Sequence, residues 1–380
     1  MKLAVYAHPF DLDALAGEGG LRRLADLGFA EIALATSYHD GRWLQPWHPQ
    51  TRVRFLEDGT VHFRPRADYG VLQPLPSTAV PATGPSPLER LCGAAPAAGL
   101  TVRAWNVFHH NTRLGDSHPE LAVENAFGDR HTYALCPAQP EVQRYALALA
   151  ADLAAHDGLA AIELEAVGWM GWKHSSHHDK ASFQPKGALL AALSYCFCAA
   201  CRERIAATGG DPERARARAC ELVTAELERG DAMAPGPVLE GTGGLDEVAT
   251  ARAATMHAFG ADLRRAVATD LALQVHPDPT FAGSQLPVAQ VDGFGAQEFV
   301  VTAYGESLAA TARLVAAAPI AALGPKRLSI WPKAPQLASD EDLVKVRELC
   351  AQHGIDALAI YHLGLLPWRT IERAARVLQA

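Results

Sequence analysis

A single α/β domain closed into a (β/α)8 TIM barrel is the architecture that the sequence predicts. Short apolar and β-branched runs alternate with longer helical patterns, and eight such pairs fit within residues 1–380. No glycine-rich phosphate loop follows the first strand, because HPFDLDALAGEGG lacks the G-x-G-x-x-G order. That absence disfavours the alternative, a doubly wound open sheet.

The first half of the chain predicts four strands and two insertions. The strands cover residues 3–8, 31–38 and 101–108 and the run AIELEA, with helices between them. Residues 40–85 form the insertion after strand two, where RVRFLEDGTVHFRP alternates around Asp58-Gly59 as a β-hairpin would. Ser86 is the expected N-cap of the next helix, and a long polar loop follows strand three.

The second half repeats the rhythm after a broad insertion at residues 168–245. Its strands are expected at residues 270–277, 298–305, 327–335 and 356–364. Ser339 and Asp342 form a capping pattern at the start of the helix after strand seven.

Two carboxylates of the fourth strand are predicted to point into the barrel. Side chains alternate along a strand, so Ile162 and Leu164 face the helices, whereas Glu163 and Glu165 face the interior. Glu165 is closer to the carboxyl end, where active sites of this fold lie, and Glu163 lies one layer below. Buried carboxylates need cations, hydrogen bonds or a shared proton. A structural ion-pair network is the alternative interpretation for both.

Nearly every predicted strand ends in an aromatic ring, an imidazole or a charge. These side chains would converge on one rim, and rings beside hydrogen-bonding groups suit a polyhydroxylated ligand. A lone histidine among them is more often a satisfied core or rim residue. Glu165, His109, His276, Trp331 and His362 are expected to line one pocket, with the tryptophans and histidines of GWMGWKHSSHHDK as its wall. The expected ligand-binding residues are His8, Trp105, Asn106, His109, His110, Trp169, His177, His178, His276, Tyr304, Trp331, Lys333, Tyr361 and His362.

Three segments resemble the large group of barrel proteins related to glycoside hydrolases, including poorly characterised hydrolase-like families. They are LCPAQPEVQRYALALAADLAAHDGLAAIELE, the loop with the tryptophans and HSSHHDK, and YCFCAACRERI. The resemblance covers residues 100–205 and does not specify a substrate. It implies that the acid at the end of strand four is catalytic, which designates Glu165 and, less directly, Glu163.

One departure from the family pattern concerns strand seven. Glycosidases whose acid/base lies on strand four usually carry a glutamate nucleophile at the end of strand seven, but LSIWPKAP offers Lys333 there. A second carboxylate must come from elsewhere, with Asp278, Glu298 and Glu306 as candidates. A scheme with the nucleophile on strand four and the acid on strand five or six also fits.

Cys196, Cys198 and Cys201 form a C-x-C-x-x-C cluster. Three thiols at this spacing can bind a structural zinc ion with a fourth ligand, and His177 or His178 lies close in sequence. The alternative is three buried free thiols. The seven cysteines of the chain fit free thiols better than a disulfide framework.

The expected function is hydrolysis of a small glycoside, with Glu165, Glu163 and Asp278 as the catalytic carboxylates and no cofactor required. A metal-dependent sugar isomerase or lyase, with Glu165 and His276 among its ligands, is one alternative. A sugar-binding barrel without turnover is another.

Composition limits the partners and the location. A net charge of −8 without a basic stripe argues against nucleic acid, and the apolar runs are too short for a membrane span. Residues 1–10 read as a strand and not as a signal peptide, so a cytoplasmic protein is expected. A carbohydrate is the expected partner, and the sequence leaves a homo-oligomer open.

Overall fold

Eight parallel strands form the centre of the molecule. The computed structural model describes residues 1–174, 180–181, 185–229 and 242–380. The barrel strands are β1 (Lys2–Ala7), β2 (Glu31–Tyr38), β3 (Thr101–Val107), β4 (Leu159–Glu165), β5 (Asp270–His276), β6 (Glu298–Ala303), β7 (Lys326–Ile330) and β8 (Ala357–Ile360).

The sheet is closed. Each strand pairs in parallel with the next along the chain, and β1 pairs with both β2 and β8, with Ala4 opposite Glu31 and Lys2 opposite Ala357. A closed sheet has no edge strands, so the predicted (β/α)8 barrel is confirmed and the open sheet is excluded.

Helices surround the barrel and fill its insertions. The α-helices are α1 (Pro9–Ala16), α2 (Gly20–Asp26), α3 (Pro87–Ala94), α4 (Thr112–Ser117), α5 (Pro140–Ala154), α6 (Gly187–Ser194), α7 (Ala199–Ala207), α8 (Pro212–Glu228), α9 (Asp246–Ala266), α10 (Leu308–Ala316), α11 (Ala318–Ala321), α12 (Asp340–Gln352) and α13 (Trp368–Gln379). Short 3-10 turns cover Ala95–Ala98, Pro119–Leu121, Trp172–His174, Val288–Gln290 and Leu363–Leu365. The expected caps are present, since Ser86 accepts from the backbone N–H of Glu89 and Ser339 from that of Asp342.

The insertion after β2 folds differently from the prediction. The hairpin pairs Gly41–Leu44 with Val53–Leu56, and the segment after Gly59 instead pairs with the end of β2, with Val61 opposite Ser37. The Asp58-Gly59 turn therefore joins two strands that do not pair with each other. Asp58 accepts hydrogen bonds from the backbone N–H groups of Asp40 and Arg113, which fixes this turn against the barrel. Local alternation predicted the strands correctly. The second strand, however, forms its hydrogen bonds with the carboxyl-terminal end of β2 and not with the first strand.

The other two insertions lie after β3 and β4. The first contains α4 and an antiparallel pair, Ala122–Glu124 with Arg130–Leu135. The second contains α6, α7 and α8, whose apolar side chains bury a small core of their own together with Ala126 of the first insertion. The two insertions thus pack against each other beside the barrel.

An ion-pair network fills the amino-terminal end of the barrel. Arg103 bonds Glu31 at 2.9 Å, Glu163 at 3.3 Å and Glu298 at 2.5 Å, and Arg327 bonds Glu31 at 2.8 Å. Burial alone would raise the pKa of Glu31, but the cations Arg103, Arg327 and Lys2 outweigh it and hold the pKa at about 2. Each buried charge therefore has an opposite partner, as burial requires.

No helix among the described residues is long and apolar enough to cross a bilayer.

Candidate functional site

Glu165 is the last residue of β4 and lies at the carboxyl-terminal mouth of the barrel. Its side chain is partly exposed, and its Oε2 accepts a hydrogen bond of 2.5 Å from the indole N–H of Trp105 on β3. Ile162 and Leu164 are fully buried in the core. The alternation of β4 thus runs as the sequence predicts, with Glu165 directed inward.

The surroundings of Glu165 favour its protonated form. Burial is the largest influence and raises the pKa of Glu165 to about 7. Hydrogen bonds from Trp105, Ser284 and Gln274 oppose this rise, and the charge of Glu163 adds to it. A carboxyl with a pKa near neutrality can release and take up a proton at physiological pH.

Glu163 lies one layer deeper and is fully buried. Its Oε1 accepts hydrogen bonds from Tyr6 at 2.5 Å and Gln274 at 2.8 Å, and its Oε2 pairs with Arg103. These contacts occupy both carboxylate oxygens. Glu163 therefore belongs to the ion-pair network below the mouth, which is the structural alternative that the sequence left open.

Aromatic side chains from several strands surround the mouth. The Tyr38 and Tyr361 hydroxyls are 3.1 Å apart, and the rings of Tyr361 and Tyr304 have centroids 4.3 Å apart. The Trp331 ring lies 5.4 Å from that of Tyr361, and the Lys333 ammonium lies 3.2 Å above the Trp331 ring. The structure thus brings four of the predicted ligand-binding residues, Tyr304, Trp331, Lys333 and Tyr361, together on one side of the mouth. Tyr38 was not among the predicted ligand-binding residues, although its place at the end of strand two was visible.

Residues after β5 and β6 line a second part of the rim. A cavity of about 430 Å³ is bounded by His276, Tyr304 and Glu306, among others. His276 stacks on Phe281, with ring centroids 3.7 Å apart. Asp278 is exposed beyond β5, and its Oδ1 accepts from the backbone N–H and hydroxyl of Thr280.

Glu298 is not available as a second catalytic carboxylate. It is the first residue of β6, so it lies at the opposite end of the barrel from Glu165. There it pairs with Arg103 and Arg327, which lower its pKa against the opposing effect of burial. The candidates that remain at the mouth are Asp278 and Glu306.

Two histidines expected in the pocket are fully buried. His109 is fully buried, with its ring 6.2 Å from that of Phe259 on α9, and burial lowers its pKa to about 4. His362 is fully buried against Trp43, and its Nδ1 accepts from the backbone N–H of Gly364. The expectation that His109 lines the pocket with Glu165 is therefore wrong. His362 lies directly behind the mouth, with its ring 5.2 Å from that of Tyr361 and 6.1 Å from that of Trp105.

The other predicted ligand-binding residues have varied surroundings. Asn106 is fully buried and accepts a hydrogen bond from Thr36, which makes it a core residue. His110 stacks on His39, and the Trp169 ring lies 4.9 Å from the Arg252 guanidinium. Trp105 and His8 reach the mouth and the adjoining insertion, respectively. His177 and His178 lie outside the described residues.

Asp11 is a buried carboxyl that sequence reasoning missed. It lies in the first turn of α1, where it accepts from the backbone N–H of His8 and from the Gln45 amide, and its Oδ2 is 3.6 Å from Nδ1 of His362. Burial raises its pKa to about 7 despite those hydrogen bonds. In the sequence, Asp11 could have been noticed because it follows His8, the histidine at the end of the first strand, by three residues.

Four buried cysteines form a cluster beside the barrel. The Sγ atom of Cys136 lies 3.5 Å from that of Cys201 and 3.7 Å from those of Cys196 and Cys198. All four sulfur atoms lie within 4.8 Å of one another, so the cluster could bind a metal ion. The structure thus adds Cys136 as a fourth candidate ligand, whereas His177 and His178, the candidates named from sequence, lie outside the described residues. Cys136 belongs to the sequence LCPAQP, which precedes α5. Its contact with cysteines 60 or more positions later in the chain is visible only in the folded structure.

The mouth as a whole combines one carboxyl of raised pKa with aromatic rings, hydroxyl groups and the Lys333 ammonium. Such a site can transfer a proton to a bound molecule and hold the faces of a polyhydroxylated ring.

No protein-family model matches the sequence, and no curated protein does. Solved structures resemble the chain. The glycoside hydrolase domain of PgaB (BpsB) from Bordetella bronchiseptica matches with a TM-score of 0.60 at 14% identity, covering 100% of this chain and 98% of that one. The catalytic domain of β-amylase from Paenibacillus polymyxa matches at 0.54 and 12%, with coverage of 100% and 98%. β-Galactosidase from Marinomonas ef1 matches at 0.55 and 13%, with all of this chain spanning 59% of that one. At such identities the likeness shows a glycosidase-like TIM-barrel fold.

Proposed function

We propose that this chain is a glycoside hydrolase in which Glu165 is the general acid. The observation that carries the proposal is the position of Glu165 at the barrel mouth, among aromatic rings, with a pKa raised to about 7. A carboxyl that stays protonated near neutral pH is what protonation of a glycosidic oxygen needs. The structural likeness to glycosidase domains supports this class of reaction.

The reaction needs a second carboxylate, and Asp278 or Glu306 would supply it. Glu165 gives its proton to the leaving oxygen as the bond from that oxygen to the anomeric carbon breaks. In an inverting reaction, a water molecule adds to that carbon and loses a proton to the second carboxylate. In a retaining reaction, the second carboxylate first bonds to the carbon, and a water molecule then displaces it and gives its proton to Glu165. Glu306 borders the rim cavity with Tyr304, whereas an oxygen of Asp278 is engaged by Thr280. Glu306 is therefore the first residue to test for this role.

The metal-dependent isomerase or lyase has less support. Among the described residues, the only group of three or more potential metal ligands is the cysteine cluster, which includes neither Glu165 nor His276. Nδ1 of His276 accepts from the backbone N–H of Asp278. No observation at the mouth favours a catalytic metal.

The experiment is a screen of nitrophenyl glycosides, with and without chelator, followed by a matched pair of variants. Glu165→Gln should lower kcat on the best substrate about a hundredfold or more, because it removes the transferable proton. Glu163→Gln makes the same chemical change two residues earlier and should lower kcat less, because Glu163 bonds only barrel side chains. Near-normal turnover by Glu165→Gln would refute the assignment. Sugar binding without turnover of any glycoside would favour the non-catalytic barrel.

We also propose that Cys136, Cys196, Cys198 and Cys201 hold a structural zinc ion. The tetrahedron implied by Zn–S bonds of about 2.3 Å has sulfur–sulfur edges of about 3.8 Å, and the observed separations from Cys136 are 3.5–3.7 Å. A site closed by four thiolates leaves no position for substrate, so its role would be to tie the insertions after β3 and β4 together.

Metal analysis of the purified protein tests the zinc proposal. Cys136→Ser should lose the zinc and lower the melting temperature, whereas Cys220→Ser, which changes a cysteine outside the cluster, should keep both. One zinc per chain in the wild type, absent from Cys136→Ser alone, is the expected result. Zinc-free wild-type protein, prepared without chelators, would refute the proposal.

A further inference from the structure

Three tyrosines form a continuous row across the barrel mouth. Tyr38, at the end of β2, shares a hydroxyl contact with Tyr361 after β8, and the Tyr361 ring packs against Tyr304 after β6. Burial is the main reason why the pKa of each tyrosine is raised, and the negative charge of Glu165 raises all three further. Trp105 links Glu165 to this row, since its indole N–H donates to Glu165 and its ring lies 5.3 Å from that of Tyr38 and 6.0 Å from that of Tyr361.

Open space lies at both ends of this tyrosine row. The Tyr304 end borders the rim cavity of about 430 Å³ described above. The Tyr38 end borders a cavity of about 450 Å³ between the barrel and the insertion after β2, here called the insertion cavity. Both volumes lie within the range of small-molecule sites. Each cavity thus reaches one end of the tyrosine row.

The insertion cavity has a polar floor and an aromatic rim. His8 and His62 lie on its floor, where Nδ1 of His62 is 2.7 Å from the Ser77 hydroxyl and the Nε2 atoms of the two histidines are 3.1 Å apart. Phe55 borders the cavity with a side chain that is 73% exposed, and Thr51 lies near it on the same hairpin. An exposed ring over hydroxyl and imidazole groups is a surface on which a sugar can pack.

The insertion cavity offers little free charge. Burial lowers the pKa of His62 to about 3, and that of His8 falls well below its ordinary value mainly for the same reason, so both are neutral near pH 7. Arg54 stacks on Phe10 and donates to Gln45.

The two acids that border the insertion cavity are also engaged. Glu57 accepts from the backbone N–H and hydroxyl of Thr78, and Asp13 pairs with Arg90. These charges have partners within the protein. The other hydrogen-bonding groups of the lining are hydroxyls, an amide and the neutral histidines, which suit a polyhydroxylated molecule.

We infer that the substrate is an oligosaccharide that lies along the tyrosine row, with the bond to be cleaved beside Glu165 and a further, neutral sugar unit in the insertion cavity. The inference rests on the proposed function and makes it more specific, because it requires recognition beyond the sugar whose bond is cleaved. Phe55 would then determine preference for chain length.

Binding measurements on the Glu165→Gln protein test the inference without requiring turnover. Calorimetry would compare disaccharides with tetrasaccharides of glucose, galactose and mannose. Phe55→Ala, added to Glu165→Gln, should weaken tetrasaccharide binding roughly three- to tenfold through loss of ring packing. Thr51→Trp should fill the cavity and remove the advantage of tetrasaccharides over disaccharides. Leu44→Ala, on the same hairpin and 68% exposed but outside the cavity lining, is the matched control.

The outcomes separate this inference from the proposed function. Tetrasaccharide binding that is tighter than disaccharide binding, and that weakens in Phe55→Ala and Thr51→Trp but not in Leu44→Ala, supports the inference even if no glycoside is hydrolysed. Equal binding of both lengths, no binding at all, or cavity variants that behave like Leu44→Ala would overturn it. Glycoside hydrolysis that depends on Glu165 would leave the proposed function intact in those cases. Melting temperatures confirm that each variant is folded.

Discussion

Glu165→Gln should change stability in a way that depends on pH. The carboxyl pKa is about 7 in the folded protein and about 4.5 in an unfolded chain, so the folded state holds the proton more tightly. Below pH 4.5 both states are protonated and the group imposes no penalty. As the pH rises from 4.5 through 7, the unfolded state loses its proton first, and the wild type loses stability that the glutamine variant keeps.

The size of this effect follows from the same two pKa values. Their difference corresponds to roughly 3 kcal/mol. Partial exposure of Glu165 to solvent reduces this to about 2 kcal/mol. The stability of Glu165→Gln relative to the wild type should therefore improve by about 2 kcal/mol between pH 4.5 and pH 8.

Urea unfolding of both proteins at the two pH values measures the effect. Titrations elsewhere in the chain cancel, because they occur in both proteins. Glu163→Gln is the comparison variant and should be less stable than the wild type at both pH values, since it removes a charge paired with Arg103. If the difference between Glu165→Gln and the wild type is the same at both pH values, Glu165 does not have a raised pKa and the argument for a general acid fails.

Trp105→Phe removes the indole donor that lowers the pKa of Glu165, so the alkaline limb of the kcat/KM–pH profile should move up by about one pH unit; an unmoved limb would show that this hydrogen bond does not tune the acid. Arg103→Met should lower the free energy of unfolding, measured in urea, by about 3–5 kcal/mol, because it leaves buried carboxylates unpaired. Arg22→Met, which removes an exposed ion pair, is the control and should lower it by less than about 1 kcal/mol. The wild type should lose roughly 3 kcal/mol of stability as the pH falls from 4.5 towards 2, because the paired Glu31 has a folded pKa of about 2; unfolding curves that do not change over that window would contradict the charge assignment.

The sequence by itself determined the fold and which side chains of the fourth strand point into the barrel. Strand and helix periodicities are local properties, so eight alternating units predict a barrel without knowledge of any long-range contact. The two-residue period of AIELEA likewise determined that Glu163 and Glu165 share the inward face, and the order along β4 placed Glu165 nearer the mouth.

Tertiary structure decided which of the predicted polar residues meet. Glu298 begins its strand and Glu165 ends its own, as the predicted strand bounds already indicated, and the closed barrel places them at opposite ends, where Arg103 and Arg327 pair with Glu298. His109 and His362 stand just beyond strand ends, where no periodicity specifies direction, and the packing of α9 and of Trp43 buries them.

The cysteine cluster and the hairpin are two further cases in which the sequence pattern did not specify the contacts. Cys136 joins Cys196, Cys198 and Cys201 because the insertions after β3 and β4 pack together, a contact that sequence spacing does not encode. The strands on either side of Asp58-Gly59 alternate as a hairpin would, but hydrogen bonding to the end of β2 redirects the second one. Local pattern therefore specified the elements and their inward faces, whereas closure of the barrel and docking of its insertions decided the partners of each side chain.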